Sequence, residues 1–211
     1  MQNPLRISVL ISGGGTTLKN LIDRIAAKSL NASIELVVSN NPNAGGLQFA
    51  RDAGINTKVI SHKDFGDRQS FSNAIYDSIR ETESELVVMG GFLRQLSIPE
   101  DFENRIINIH PSLIPAFCGK GFYGSKVHQG VLDYGCKLTG CTVHYVDDQY
   151  DHGPIIAQQS VTVDPDDDAK SLAARVFAAE CELLPAVINQ IASGNVSIDG
   201  RVVAINGSNV S

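Results

Sequence analysis

Five short apolar runs set between stretches of helical spacing constrain this chain more than any other feature of it. They are ISVLI at 7–11, IELVV at 34–38, TKVI at 57–60, ELVVMG at 85–90 and IINIH at 106–110. Leu18, Leu21, Ile22 and Ile25 recur at helical spacing between the first two runs, as do Phe71, Ile75 and Ile79 before the fourth. Such alternation is the pattern of an α/β fold, here Rossmann-like, with a mostly parallel twisted sheet and helices on both faces. After residue 138 the style changes, and TGCTVHYV and PIIAQQSVTV, joined by DDQYDHG, read as an antiparallel C-terminal strand pair. A long helix should follow from about Ala169, with Asp166, Asp167 and Asp168 at the end where the helix dipole favours negative charge. VSIDGRVVAI reads as a small hairpin turned at Asp199-Gly200.

At 211 residues the chain can bury an ordinary core and is expected to be one domain, without repeats, low-complexity segments or linkers. Seventeen basic residues against 23 acidic ones give a formal charge of −6, which argues against a nucleic-acid surface and permits a local basic site for an anion. The cysteines at 118, 136, 141 and 181 form no CxxC pair. No signal peptide precedes the first strand, and no apolar run approaches the roughly 20 residues needed to span a membrane. The expectation is a reduced, cytoplasmic protein with neither nucleic acid nor membrane as partner.

RIINIHPSLIPAF at 105–117 sets an asparagine and a histidine into an apolar segment. On an extended chain Asn108 and His110 share one face, and Ile107 and Ile109 the other. Pro111 biases His110 toward extended geometry and removes the next backbone donor, so the strand should stop there with an amide and an imidazole aimed from its end. A satisfied polar pair capping a buried strand is the alternative use.

SGGGTTLKNLID follows the first run directly. Glycines let the backbone approach a ligand, and the amides opening the next helix can hold a phosphate; Gly13, Gly14 and Gly15 supply the turn, Thr16 and Thr17 hydroxyl donors. A purely structural turn is also open. The dinucleotide pattern wants a third glycine where Leu18 stands and an acidic residue after the second strand, which runs into SNN instead. The Walker pattern lacks its Gly-Lys-Ser/Thr ending, so a single phosphate on a small ligand fits better than NAD or ATP. In DDQYDHGPIIAQ, Asp151 precedes His152, Gly153 and Pro154, a tight turn that can face its carboxylate to a cleft; an exposed acidic loop is the plain alternative. Asp147, Asp148, Asp151 and His152 match no calcium-loop or zinc spacing, and no metal is expected.

Taken in order, SGGGTTLKNLID, MGGFLRQLS, INIHPSLIPAF and VHYVDDQYDHGPIIAQ closely resemble the glycinamide ribonucleotide formyltransferases of purine synthesis, over nearly the whole chain. The strand ending Asn-x-His-Pro-Ser-Leu-x-Pro and the later Asp-x-Gly-Pro belong to folate-dependent formyl transferases and hydrolases as a group; the phosphate loop and compact length select within it. The resemblance implies transfer of the formyl group of 10-formyltetrahydrofolate, as co-substrate, to the amine of glycinamide ribonucleotide, by a monomer or homodimer whose partners are small molecules. It implies a single formyltransferase domain over 1–211, with a phosphate-binding part at about 1–100 and a folate-binding and catalytic part at about 101–211. Asn108, His110 and Asp151 would be catalytic, with no covalent enzyme intermediate. Gly13, Gly14, Gly15, Thr16, Thr17 and Glu180, the last in FAAECELLP, would bind the ribonucleotide. Arg68, Met89, Leu93, Arg94, Gln95, Leu96, Asn108, Asp147, Asp148 and Asp151 would form the folate side, with core packing an equal alternative for Met89. The family often has Ser-Asn where this chain has Thr16-Thr17, so Thr17 keeps a hydroxyl and loses an amide.

Cys118 is expected to be a small buried thiol rather than a nucleophile, and His128 and His144 to serve helix and strand packing. Among rivals, a formyltetrahydrofolate hydrolase shares the Asn, His and Asp but usually carries an N-terminal regulatory domain, whereas the first strand here starts at about residue 6. A methionyl-tRNA formyltransferase usually has a C-terminal RNA-binding domain, whereas this chain ends in a short hairpin. A noncatalytic nucleotide or folate sensor is the rival from another class, against which the complete Asn108, His110, Asp151 set argues.

Overall fold

The structure, a computed structural model, describes residues 3–206. Nine strands and five α-helices are described: β1 (Leu5–Ile11), α1 (Thr16–Ala26), β2 (Ala32–Ser39), α2 (Gly46–Asp52), β3 (Thr57–Val59), α3 (Arg68–Arg80), β4 (Leu86–Met89), β5 (Ile106–His110), α4 (Ser125–Tyr134), β6 (Leu138–Tyr145), β7 (Ile155–Thr162), α5 (Ala169–Ala192), β8 (Val196–Asp199) and β9 (Val202–Ile205). Seven of the strands form a mixed, mostly parallel sheet in the order β3-β2-β1-β4-β5-β6-β7. The chain divides into two compact units, Met1–Ile107 and Asn108–Ser211, and the boundary falls inside β5.

In the first unit β1 pairs in parallel with both β2 and β4, so its side chains are enclosed: Ile7, Val9, Leu10 and Ile11 have no exposed surface. The strand order reverses direction around β1, the arrangement in which ligands gather beyond the strands' carboxyl ends. α1 turns Leu18 and Leu21 inward, each burial contributing about 1.5–3 kcal/mol, while Lys19 and Asp23 pair at 2.6 Å on its open side. α3 begins at the Asp67 carboxylate, which accepts from the Ser70 N–H at 2.7 Å, and buries Phe71, Ile75, Tyr76 and Ile79.

In the second unit β6 and β7 run antiparallel, from Leu138↔Thr162 to His144↔Ile155, with the register broken between Val143 and His144. α5 starts where the acidic triplet ends, because Asp168 accepts from the Lys170 and Ser171 amides while the Ser171 hydroxyl accepts from the Asp168 amide. Asp167 is held down to about 2 by the Arg175 guanidinium bonded to it. Pro185 lies buried within this helix. β8 and β9 make the expected hairpin, but Asp199 pairs with Val202, so the two-residue loop is Gly200 and Arg201, one residue later than the sequence suggests. Gly200 takes φ +58°, which moves the turn onto it.

Among the described residues no helix is long and apolar enough to cross a membrane.

Candidate active site

In the first unit, the glycine run leaves the end of β1 and Gly15, at φ +75°, caps α1. A Cβ at Gly15 would overlap the Gly46 backbone, and the Gly46 amide donates to the Gly13 carbonyl at 3.1 Å. Gly15 is thus required by the fold, both for its left-handed backbone and for this approach. Gly13 and Gly14 are not. They are exposed, neither has a left-handed φ, and an added Cβ would meet nothing within 4 Å. Beside them α1 carries no acidic residue in its first turn, so the positive end of its dipole is uncancelled; Thr16 is exposed there and Thr17 half-buried. Open space, free glycines and a helix start are what an anion requires.

Beyond β4 the chain passes through Gly90 and Gly91 to Phe92, which stacks on Phe71 of α3 with centroids 6.5 Å apart. Met89 and Leu96 are buried with Phe92, so their side chains serve the core, the use left open for Met89. Leu93 is 54% exposed, Arg94 exposed and Gln95 half-buried. Arg68, first residue of α3, donates from Nε to Ser97 Oγ at 3.0 Å, and the Ser97 amide donates to Ser72 Oγ at 2.9 Å, which holds the arginine beside the 93–97 segment.

In the second unit β5 ends at His110, before Pro111. Asn108 Nδ2 lies 3.2 Å from His144 Nε2, and His144 Nδ1 lies 2.7 Å from the carbonyl of Tyr145. A carbonyl only accepts, so Nδ1 carries the proton, Nε2 accepts, and the Asn108 amide donates to it. The neutral ring agrees with its burial, which pushes the His144 pKa down. Among the described residues, the second Asn108 N–H has no acceptor and can donate elsewhere. His110 Nδ1 lies 3.5 Å from Asp151 Oδ2, and its Nε2 donates to the Phe117 carbonyl at 2.9 Å. Asp151 sits at φ +51° on a loop packed so closely that a Cβ at Gly153 would overlap the Tyr145 carbonyl. Its carboxylate accepts the Gly119 amide at 2.8 Å and comes within 3.8 Å of His144 Nε2. Asp147 accepts from His152 Nδ1 at 2.7 Å and from the Gln149 amide at 2.9 Å, bracing the same loop, on which Asp148 is exposed. Glu180 is half-buried on α5, and burial pushes its carboxyl up to about 7.

Two expectations need correcting. His144 is not a packing residue alone: it is hydrogen-bonded to Asn108. The available signal was period two, since Thr142 and His144 are two positions apart in the strand, and Thr142 Oγ1 also fixes the chain after β5 by donating to the Ser112 carbonyl at 2.7 Å and accepting the Ile114 amide at 3.1 Å. The register break beside His144 re-aims that side chain. Cys118 is half-exposed rather than buried; burial and then Asp151 raise its pKa, which keeps it a thiol, and it donates to the Pro115 carbonyl at 3.3 Å. His128 is buried on α4, with its pKa pushed down by burial and then by His110. Among the described residues no three His, Cys, Asp or Glu side chains gather as metal ligands would.

Comparison with known proteins bears on this constellation. The family described as Formyl transferase matches residues 5–188. The trifunctional purine biosynthetic protein adenosine-3 of Gallus gallus is 42% identical over 198 residues, 93% of this chain and 19% of that protein. The chloroplastic phosphoribosylglycinamide formyltransferase of Vigna unguiculata is 36% identical over 189 residues, 88% of this chain and 60% of that protein. The chain therefore spans less than two thirds of these curated relatives. The solved structure of glycinamide ribonucleotide transformylase 1 from Symbiobacterium toebii superposes with a TM-score of 0.91 at 35% identity, covering 97% of this chain and 95% of that one. Phosphoribosylglycinamide formyltransferase from Coxiella burnetii, solved with CHES, gives 0.87 at 36% identity, covering 97% and 94%.

The glycine argument predicts that Gly15→Ala destabilises the protein by at least about 1–3 kcal/mol, whereas Gly14→Ala stays within about 0.5 kcal/mol of wild type, read by denaturant unfolding. Nitrogen-15 NMR of the imidazoles should find His144 neutral and protonated on Nδ1 at pH 7; an Nε2-protonated ring would overturn the assigned donor to Asn108.

Proposed function

Because the chain belongs to the formyl transferase family, we propose that it transfers the formyl group of 10-formyltetrahydrofolate to the amine of glycinamide ribonucleotide, a step of purine (IMP) biosynthesis. The observation that carries this is Asn108 held by His144 beside the His110–Asp151 pair, a set of donors with one carboxylate at the end of a buried strand. Direct attack of the amine on the formyl carbon creates a tetrahedral centre with an oxyanion and a positive nitrogen. The free Asn108 N–H donates to the oxyanion without titrating. His110 gives its Nε2–H to the Phe117 carbonyl, so the charge-assisted donor of the protonated ring is Nδ1–H, which lies 3.5 Å from Asp151 and is shared between that carboxylate and the oxyanion. Asp151 assists transfer of the amine's proton, through water, toward the departing folate nitrogen. Nothing in this sequence of steps needs a covalent enzyme intermediate, and Cys118, kept as a thiol, takes no part.

The phosphate of the ribonucleotide occupies the amides and hydroxyls of Gly13 to Thr17, and Glu180 contacts the same substrate. Folate takes the Arg68 side, with Met89, Leu93, Arg94, Gln95 and Leu96 and the Asp147–Asp148–Asp151 loop; buried Met89 and Leu96 offer it backbone rather than side chain. The whole chain serves as a single formyltransferase domain of a cytoplasmic protein, a monomer or homodimer, with no metal.

The deciding experiment follows folate release by absorbance on mixing the protein with 10-formyltetrahydrofolate, with and without glycinamide ribonucleotide. Release only with the ribonucleotide is expected; release without it makes the chain a hydrolase, and binding without release a sensor. Losing one oxyanion donor costs about 3–4 kcal/mol, so Asn108→Ala should lower turnover on the order of a thousandfold, and turnover within tenfold of wild type would overturn the role.

Glu180 supplies a pH test. Its folded carboxyl titrates at about 7 against an ordinary 4.5. Raising the folded value of an acid favours the folded state only while the unfolded carboxyl is also protonated. Stability therefore falls as pH rises from 4.5 through 7, by about 3 kcal/mol in total. Glu180→Gln should match wild type in thermal unfolding near pH 4, exceed it at pH 8, and bind the ribonucleotide more weakly; equal melting at pH 8 would remove the assigned burial.

A further inference from the structure

Ser12 stands where three loops of the first unit meet, and each of its polar groups is engaged. Its amide donates to the Gly91 carbonyl at 3.1 Å and its carbonyl accepts from Asn41 Nδ2 at 3.2 Å. Its hydroxyl donates to Asn40 Oδ1 at 2.5 Å and accepts the Leu93 amide at 2.8 Å. Ser12 and Asn40 are 9% and 8% exposed, so these bonds are sheltered from water. The next residue, Gly13, opens the phosphate loop and accepts the Gly46 amide. Leu93 opens the exposed stretch that runs beside Arg68. Only a group that donates and accepts at once can make the hydroxyl's two bonds, and alanine would leave both the Leu93 amide and Asn40 Oδ1 without it.

We propose that the Ser12 hydroxyl is a positioning group that couples the two substrate subsites, tying the phosphate loop at residues 13–17 to the folate-side segment at residues 93–96 so that filling either one tightens the other. The inference rests on the reaction proposed above, which puts the ribonucleotide phosphate on the first loop and folate on the second. An anion held by the amides that follow Gly13 fixes the backbone at residue 12, and with it the oxygen on which the Leu93 amide rests. Ordering of the second loop is then partly complete before folate arrives, and the effect is reciprocal because it is a coupling of binding free energies.

The test measures the affinity of tetrahydrofolate, which has no formyl group to transfer, by calorimetry with and without saturating glycinamide ribonucleotide. Wild-type protein should bind it about fivefold or more tightly with the ribonucleotide present. In Ser12→Ala that ratio should fall below about twofold, with each single-ligand affinity retained within a few-fold, while Ser12→Thr, which keeps the hydroxyl, should preserve it. Amide exchange at Leu93 should slow when the ribonucleotide is added to wild type and not when it is added to Ser12→Ala. If Ser12→Ala does not fold, Asn40→Ala, which removes the partner that orients the hydroxyl, should reduce the ratio instead. An unchanged ratio in the folded variant, or no coupling in wild type, overturns the inference and leaves the proposed reaction standing. Wild-type protein that binds neither compound alone overturns the reaction and the coupling together.

Discussion

Backbone groups at the carboxyl ends of buried strands lose their sheet partners, and satisfying them away from water governs how this chain leaves its sheet. Side chains do much of that work. Asn41 receives the chain after β1, through the Ser12 carbonyl, and Ser12 receives the chain after β4, through the Leu93 amide; Thr142 receives it after β5, through the Ser112 carbonyl and the Ile114 amide. The Ser112 hydroxyl in turn donates to the Ala116 carbonyl at 2.6 Å, and Asp151 accepts the Gly119 amide. One of these loop-holding side chains, Asp151, also belongs to the candidate site. Chemistry and loop structure share atoms here, so a change at Asp151 disturbs both.

The same accounting orients the donors. One carbonyl, that of Tyr145, decides which nitrogen of His144 is protonated; that nitrogen's counterpart decides which way the Asn108 amide faces. A single acceptor thus sets the direction of a hydrogen-bond chain two residues long, without any charged group in it. By contrast the His110–Asp151 contact at 3.5 Å is looser and is braced by backbone on both sides, from Phe117 and Gly119.

Period and punctuation made most of the fold legible. The five apolar runs became β1 to β5 within two residues at each end, the antiparallel pair stands where the pattern changes, and α5 starts at the expected Ala169 because Asp168 is a strong cap. α2 was not legible: seven residues with little apolar surface carry no periodic signal, and its start rests on the Gly15–Gly46 approach, a contact between residues far apart in the chain. In the site, the shared face of Asn108 and His110 followed from strand alternation and the stop at Pro111. The partnership of Asn108 with His144 did not, since it joins positions on different strands and depends on a register break that no residue type announces. Which of three successive glycines the fold needs was equally hidden, because φ and close approach are properties of the folded chain.

The division among those glycines has an evolutionary consequence. Gly15 and Gly46 constrain each other backbone to backbone, and since both already lack a side chain, no substitution at one can make room for a larger residue at the other. Gly13 and Gly14 carry no such obligation to the fold. Selection can therefore vary the lip of this loop at little expense in stability, while the hinge beneath stays frozen.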